Sequence, residues 1–149
     1  MAQITKMETE TEIKCSANKF YEIFRSKVHL MPKICPNLVK DIQLLKGDWD
    51  SKDSVKQWTY VAGNSEGVKT SEAIDEENKS ITYKAIDGEI AKNYKVYKST
   101  VQVTPKGNGS LVKWTIEYEK ANEEVPTPDK YFDLVVNLSK AVESYLLNA

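Results

Sequence analysis

Tyr83, Asp87, His29 and Lys130 are the side chains of this chain whose types suit proton transfer. General acid–base catalysis needs groups that titrate near working pH and converge on one spot. Asp87 lies in strand phase with Ile81, Tyr83 and Ala85, and Glu89 follows two residues later. Tyr83 with Asp87 and His29 is therefore the best catalytic set, for a cofactor-independent isomerase or condensing enzyme. The competing reading is plainer. Asp87-Gly88 makes a turn, and Lys130 is solvated. His29, the one histidine, sits in VHLMP with no evident nucleophile beside it, so a structural place or a place at a pocket mouth competes with catalysis.

Metal chemistry is poorly supplied. Zinc asks for about four Cys or His ligands, against one His and the distant Cys15 and Cys35. A calcium loop starting at Asp48 needs Gly at its sixth position and Glu at its twelfth; the chain has Asp53 and Thr59 there. No metal and no cofactor is expected. The 21 basic and 22 acidic residues give a net charge of −1 with no basic run, which argues against a nucleic-acid partner. No apolar run reaches the roughly 18 residues that span a bilayer, and MAQITKMETETEIK has no apolar leader core. Two cysteines do not make a disulfide framework. Free buried thiols in a reducing compartment, the cytoplasm, are the simplest reading.

The elements that must position these groups follow from periodicity. QITKMETETEIK alternates, as a strand does. SANKFYEIFRS is a helix with Ser16 as N-cap and Phe20, Ile23 and Phe24 on one face. SKVHLMPKI is a second short helix, cut by Pro32 and closed by Pro36. Six strand segments follow, split by turns at GDWDSKDS, GNSEG, EENKS and GNG. In SLVKWTIEYEK, Val112, Trp114, Ile116 and Tyr118 point one way and charged or polar residues the other, giving one wet and one apolar face. TPDKYFDLVVNLSKAVESYLLNA closes the chain as a long helix, with Thr127 as N-cap and Pro128 at the first helical position. Its polar stripe is thin: Asp129, Lys130, Asp133, Asn137, Lys140 and Ser144. The apolar arc is nearly twice the usual ~100° and runs from Tyr131 and Phe132 to Leu147. Strands grouped apart from helices indicate a single α+β domain over 1–149. A helix of ~20 residues, roughly 30 Å long, gripped by a curved sheet would use so wide an arc.

The inward strand positions are rich in aromatics: Trp58, Tyr60, Ile81, Tyr83, Ala85, Tyr97, Ser99, Val101, Trp114 and Ile116, facing Tyr131, Leu134, Leu138 and Ala141. Tyr and Trp need partners for their polar atoms when buried. This composition suits a small-ligand pocket, and equally a filled core whose hydroxyls reach the surface.

GDWDSKDSVKQWTY, DEENKSITYKAIDGE, YKVYKSTVQVTPKG, SLVKWTIEYEKANE and KAVESYLL, in that order and spacing, make the chain resemble the plant major latex proteins. These are a branch of the birch-pollen-allergen and pathogenesis-related class-ten superfamily. The resemblance implies a helix-grip fold: a seven-stranded antiparallel sheet around a long C-terminal helix, closed by a V of two short helices. It also implies a large cavity for small hydrophobic or amphipathic molecules, and a carrier or storage role in defence and stress. Carried over by strand phase, the pocket comprises Trp58, Tyr60, Tyr83, Tyr97, Trp114, Ile116, Tyr131, Leu134 and Leu138, with Ile23, Met31 and Val39 at the mouth. Norcoclaurine synthase shows that the superfamily has also turned this cavity to catalysis. The glycine-rich loop of the pollen-allergen branch is absent, since KGDWDSKDS keeps Gly47 alone. Asp48, Asp50 and Asp53 would repel a phosphate. That loop, 47–54, is the expected contact for any protein partner. The gate and latch sequences of the abscisic-acid receptors are not found either.

Overall fold

Seven strands form one antiparallel sheet. A computed structural model describes residues 4–50, 53–61 and 67–148. The strands are β1 (Thr5–Ile13), β2 (Val39–Lys46), β3 (Val55–Tyr60), β4 (Gly67–Asp75), β5 (Ser80–Asp87), β6 (Tyr94–Lys106) and β7 (Gly109–Lys120). Across the sheet they run in the order β1-β7-β6-β5-β4-β3-β2. Helices α1 (Ala17–Ser26) and α2 (Met31–Ile34), with a 3-10 turn at Val28–Leu30 between them, carry the chain from one sheet edge to the other. A short helix α3 (Glu89–Asn93) joins β5 to β6, and α4 (Asp129–Leu147) ends the fold.

The alternation in β7 does what its sequence asks. Val112, Trp114, Ile116 and Tyr118 are buried while Lys113, Thr115, Glu117 and Glu119 are not. The β6–β7 hairpin turns at Gly107 with φ 58°, a left-handed conformation that suits glycine. At Gly109 the constraint is contact: a Cβ there would lie 2.2 Å from the carbonyl oxygen of Ile13. Register shifts between Val39 and Asp41, Leu44 and Lys46, Lys69 and Thr70, and Tyr94 and Val96 interrupt the ladders. Such bulges bend strands and raise twist, and the curved sheet closes around α4.

Helix α4 buries Tyr131, Leu134, Val135, Leu138, Ser139 and Val142. The polar stripe read from the sequence is exposed throughout, and Phe132, Ala141, Tyr145 and Leu146 are half-buried against the core. Leu147 departs from the expected arc and is 53% exposed at the helix end.

Three local expectations need correction. Pro32 does not cut its helix; it sits in the first turn of α2, where a missing N–H costs no bond. Thr127 does not cap α4. Pro128 occupies the cap position, and the Thr127 hydroxyl donates to Asp129 Oδ2 at 2.8 Å. Helix α3 was not expected, because EIAKN is shorter than any periodicity can reveal. Ser16, by contrast, caps α1 by accepting from the Lys19 N–H at 3.3 Å. The GNSEG turn lies largely outside the described residues.

Candidate functional site

Between the concave sheet face and α4 lies a cavity of about 40 Å³, room for a single water molecule or little more. Its walls are Trp58 and Tyr60 from β3, Thr70 from β4, Tyr83 and Ala85 from β5, Ile90 from α3, Tyr97 and Ser99 from β6, and Trp114 from β7. Phe24 from α1 and Tyr131, Leu134, Val135 and Leu138 from α4 complete it. Register explains the assembly. Same-face neighbours run across the sheet as Glu72, Tyr83, Ser99, Ile116 and Met7, and one row on as Lys56, Thr70 and Ala85.

The aromatic rings interlock. Trp58 stacks on Tyr60 with centroids 6.1 Å apart and meets Tyr83 edge-on at 5.9 Å. Trp114 meets Phe24 edge-on at 5.6 Å, and Tyr97 meets Tyr131 at 6.0 Å. Three of their polar atoms are hydrogen-bonded inside the protein. Trp58 Nε1 donates to Thr70 Oγ1 at 3.2 Å, and Trp114 Nε1 to Ser139 Oγ at 2.6 Å. The Tyr83 hydroxyl donates to the Phe24 carbonyl at 3.3 Å. Burial pushes the Tyr60, Tyr83 and Tyr97 phenols well above their ordinary range. The buried Glu72 carboxylate adds to the effect at Tyr83 and the neighbouring phenols at Tyr97. Raised in this way, these hydroxyls stay neutral and do not serve as bases.

Of the residues assigned by strand phase, Trp58, Tyr60, Tyr83, Tyr97, Trp114, Tyr131, Leu134 and Leu138 meet around this cavity. Ile116 does not line it; fully buried opposite Ser99, it packs into the core. Ile23, Met31 and Val39 are not at a mouth. They are 3%, 0% and 0% exposed in the core and away from the cavity wall. A buried apolar side chain from a short amphipathic helix reads the same in sequence whether it faces a cavity or a packed neighbour.

The proposed catalytic set does not converge. Asp87 is exposed, accepts from the Gly88 N–H at 2.8 Å and lies 3.6 Å from Lys69 Nζ. Those two partners hold its carboxyl below the usual range. His29 is exposed, its ring 5.5 Å from that of Trp49, and Lys130 is exposed over the Tyr131 ring at 5.0 Å. Only Tyr83 of the four reaches the cavity. Asp48, Asp50 and Asp53 fall in the loop after β2, whose residues 51–52 lie outside the described residues; the Arg25 guanidinium donates to the Asp50 carbonyl and to Glu76.

Sequence reasoning missed Phe24, Thr70, Ile90 and Val135 in the wall, and it missed a buried charge cluster beside the wall. Lys56 and Glu72 are 0% and 3% exposed, with Ser54 between them. The signal was present: Ser54 and Lys56 are in strand phase with Trp58. A wider concavity of about 580 Å³ on the surface, lined by Cys35, Leu38, Ala141, Tyr145 and Asn148 among others, has no charged side chain in its wall.

Comparison with known proteins agrees with this architecture. The chain is 39% identical over 147 residues to MLP-like protein 31 of Arabidopsis thaliana, covering 96% of this chain and 86% of that one. It is 41% identical over 145 residues to MLP-like protein 34 of the same plant, of which it spans about half, 46%. The crystal structure of ginseng major latex-like protein 151 from Panax ginseng superposes with a TM-score of 0.90 at 34% identity, covering 95% of this chain and 97% of that one. The sequence profile of the pathogenesis-related protein Bet v 1 family matches residues 2–149, and the chain belongs to that family.

Proposed function

We propose that this protein binds small hydrophobic or amphipathic molecules between its sheet and α4, as a cytoplasmic carrier or reservoir in plant defence and stress. The observation that carries the reading is the cavity wall: aromatic and aliphatic side chains with few polar atoms, of which the two indole N–H groups and the Tyr83 hydroxyl are hydrogen-bonded within the protein. Such a wall gives affinity by burying apolar area, at roughly 25 cal/mol per Å². It discriminates weakly, because few polar groups are free to reject a wrong ligand. Ligand sites for drug-sized molecules usually measure about 300–1,000 Å³. At about 40 Å³ the cavity must expand on binding, so side chains of α4 and β3 move apart as the ligand enters. The free, buried thiols of Cys15 and Cys35 support a reducing compartment. Among the described residues no helix is long and apolar enough to cross a membrane.

The test is a fluorescence titration in a Trp49→Phe background, leaving Trp58 and Trp114 as reporters. A sterol, a fatty acid, a flavonoid and a cytokinin are each added. Several are expected to quench emission with micromolar constants, about −8 kcal/mol of binding free energy. An Ala85→Phe change, which fills the cavity from its wall, abolishes the response. Unchanged emission with every compound would show a filled core.

A further inference from the structure

Lys56 and Glu72 form an ion pair that the cavity borders but does not include. Lys56 Nζ donates to Glu72 Oε1 at 2.7 Å and to Ser54 Oγ at 3.1 Å, and Ser54 Oγ donates to Glu72 Oε2 at 3.3 Å. The two charged side chains are 0% and 1% exposed. Stability does not account for them. Burying two charges costs several kcal/mol each, and apolar residues of similar shape often serve as well or better. Position offers another account. Lys56 is in register with Thr70, and Glu72 with Tyr83; both partners line the cavity. An ammonium has three N–H donors, and two of them meet oxygen acceptors among the described residues.

We propose that the Lys56–Glu72 pair is the head-group end of the binding site, taking the carboxyl group of an amphipathic acid whose hydrocarbon part lies along the cavity. This rests on the binding reading above and names the ligand class. The acid enters protonated. Its carboxylate accepts hydrogen bonds from Lys56 Nζ, and its proton passes to Glu72, which then donates a hydrogen bond as a neutral acid. The site carries zero net charge before and after: one ammonium and one carboxylate in each case. A carboxylate drawn from neutral solution therefore brings one proton with it. Burial raises the Glu72 carboxyl above its ordinary range against the opposing pull of Lys56, Ser54 and Arg25, in keeping with a proton acceptor. The other groups facing the pair are Tyr83 of β5, neutral through burial and itself next to Tyr21, Arg25 of α1, and the Trp49 ring 5.9 Å from Nζ. Tyr21 and Arg25 both bond Glu76. An alcohol of the same chain length can hydrogen-bond to the pair but delivers no proton and no charge to it.

Calorimetric titration of the full chain with decanoate and with 1-decanol, at pH 7 in two buffers of different ionisation enthalpy, tests this. The wild type is expected to take up about one proton per decanoate and none per decanol, as coupling between close buried charges requires. Glu72→Gln leaves Lys56 uncompensated; decanoate binds about tenfold tighter relative to decanol, without proton uptake. In Lys56→Met/Glu72→Met, which keeps the site neutral and filled, decanoate binds about tenfold weaker relative to decanol, without proton uptake. Decanol binding with no proton uptake from decanoate, or a decanoate-to-decanol ratio unchanged in both variants, overturns the head-group assignment alone. Failure of both compounds to bind the wild type overturns the cavity reading beneath it.

Discussion

The inner face of the sheet has two halves that are equally buried and chemically opposite. On β6 and β7, Val101, Val103, Val112 and Ile116 are 0–2% exposed and all hydrocarbon. On β3, β4 and the residue before β3, the inward positions include Ser54, Lys56, Thr70 and Glu72, 0–6% exposed, beside Trp58. Both halves belong to one continuous sheet. Burial therefore does not distinguish a structural wall from a functional one; what is buried does. The hydrocarbon half maximises packing and transfer free energy. The polar half gives up some of that for a fixed set of hydrogen bonds, and those bonds border the cavity.

The strongest way to break this contrast is to orphan a charge. Glu72→Leu leaves Lys56 buried without its counter-ion and should lower stability by about 3–5 kcal/mol, read by urea unfolding. Adding Lys56→Met should restore most of the loss. If the double variant stays as unstable as the single one, the pair is stabilising in itself and the contrast is misread. Ile116→Ala, in the hydrocarbon half, should cost about 2–5 kcal/mol through lost transfer energy and an unfilled hole. No single compensating change should recover it, because packing there is shared among many neighbours.

The hydrocarbon half was legible in the sequence and the polar half was not. Val112, Trp114, Ile116 and Tyr118 alternate with charged residues over a long strand, so period and composition agree. In VKQWTY the same period places Lys56 inward with Trp58, but a lysine reads as a solvated residue unless its partner is known. That partner, Glu72, is 16 residues away on the next strand, and only the register brings the two together. The resemblance supplied the seven-stranded antiparallel sheet and the grip of α4; it also implied a large cavity, where interlocked Tyr60, Trp58, Tyr83 and Trp114 leave about 40 Å³. Ring orientation is set by side-chain packing, which strand phase does not encode. Asp87 failed as a pocket group because the Lys69–Thr70 bulge and the Gly88 turn carry the end of β5 away from the interior.

Each half owns one buried tryptophan, which allows a finer comparison. Ser139→Ala removes the acceptor of Trp114 Nε1, a 2.6 Å bond to a fully buried serine behind the cavity wall, and should cost about 1–3 kcal/mol with a shift in Trp114 emission. Thr70→Val removes the acceptor of Trp58 Nε1, a 3.2 Å bond at the cavity wall. There a water can replace the lost hydroxyl, and the cost should be about 1 kcal/mol or less. Equal costs would mean that the cavity is as dry as the core.

The smallest effect carries a distinctive sign. Buried carboxylates that gain a cation usually have depressed values, so their stabilising effect is lost in acid. Glu72 is raised instead, because burial outweighs its hydrogen bonds from Lys56 and Ser54. A carboxyl that holds its proton more tightly in the folded state stabilises the protein fully below its unfolded value, 4.5, and loses that contribution as pH rises through the folded value. Between those two points the native state binds more protons than the unfolded chain, so stability falls with rising pH. Unfolding free energies of wild type and Glu72→Gln, compared from pH 4 upward, isolate this group from exposed carboxylates such as Asp75 and Asp87, which shift the opposite way. The wild type should lose ground to the variant as pH rises above about 4.5. A wild type that gains on the variant over that interval would mean that Lys56 dominates the pair, and that Glu72 is held as an anion unable to take up a ligand's proton.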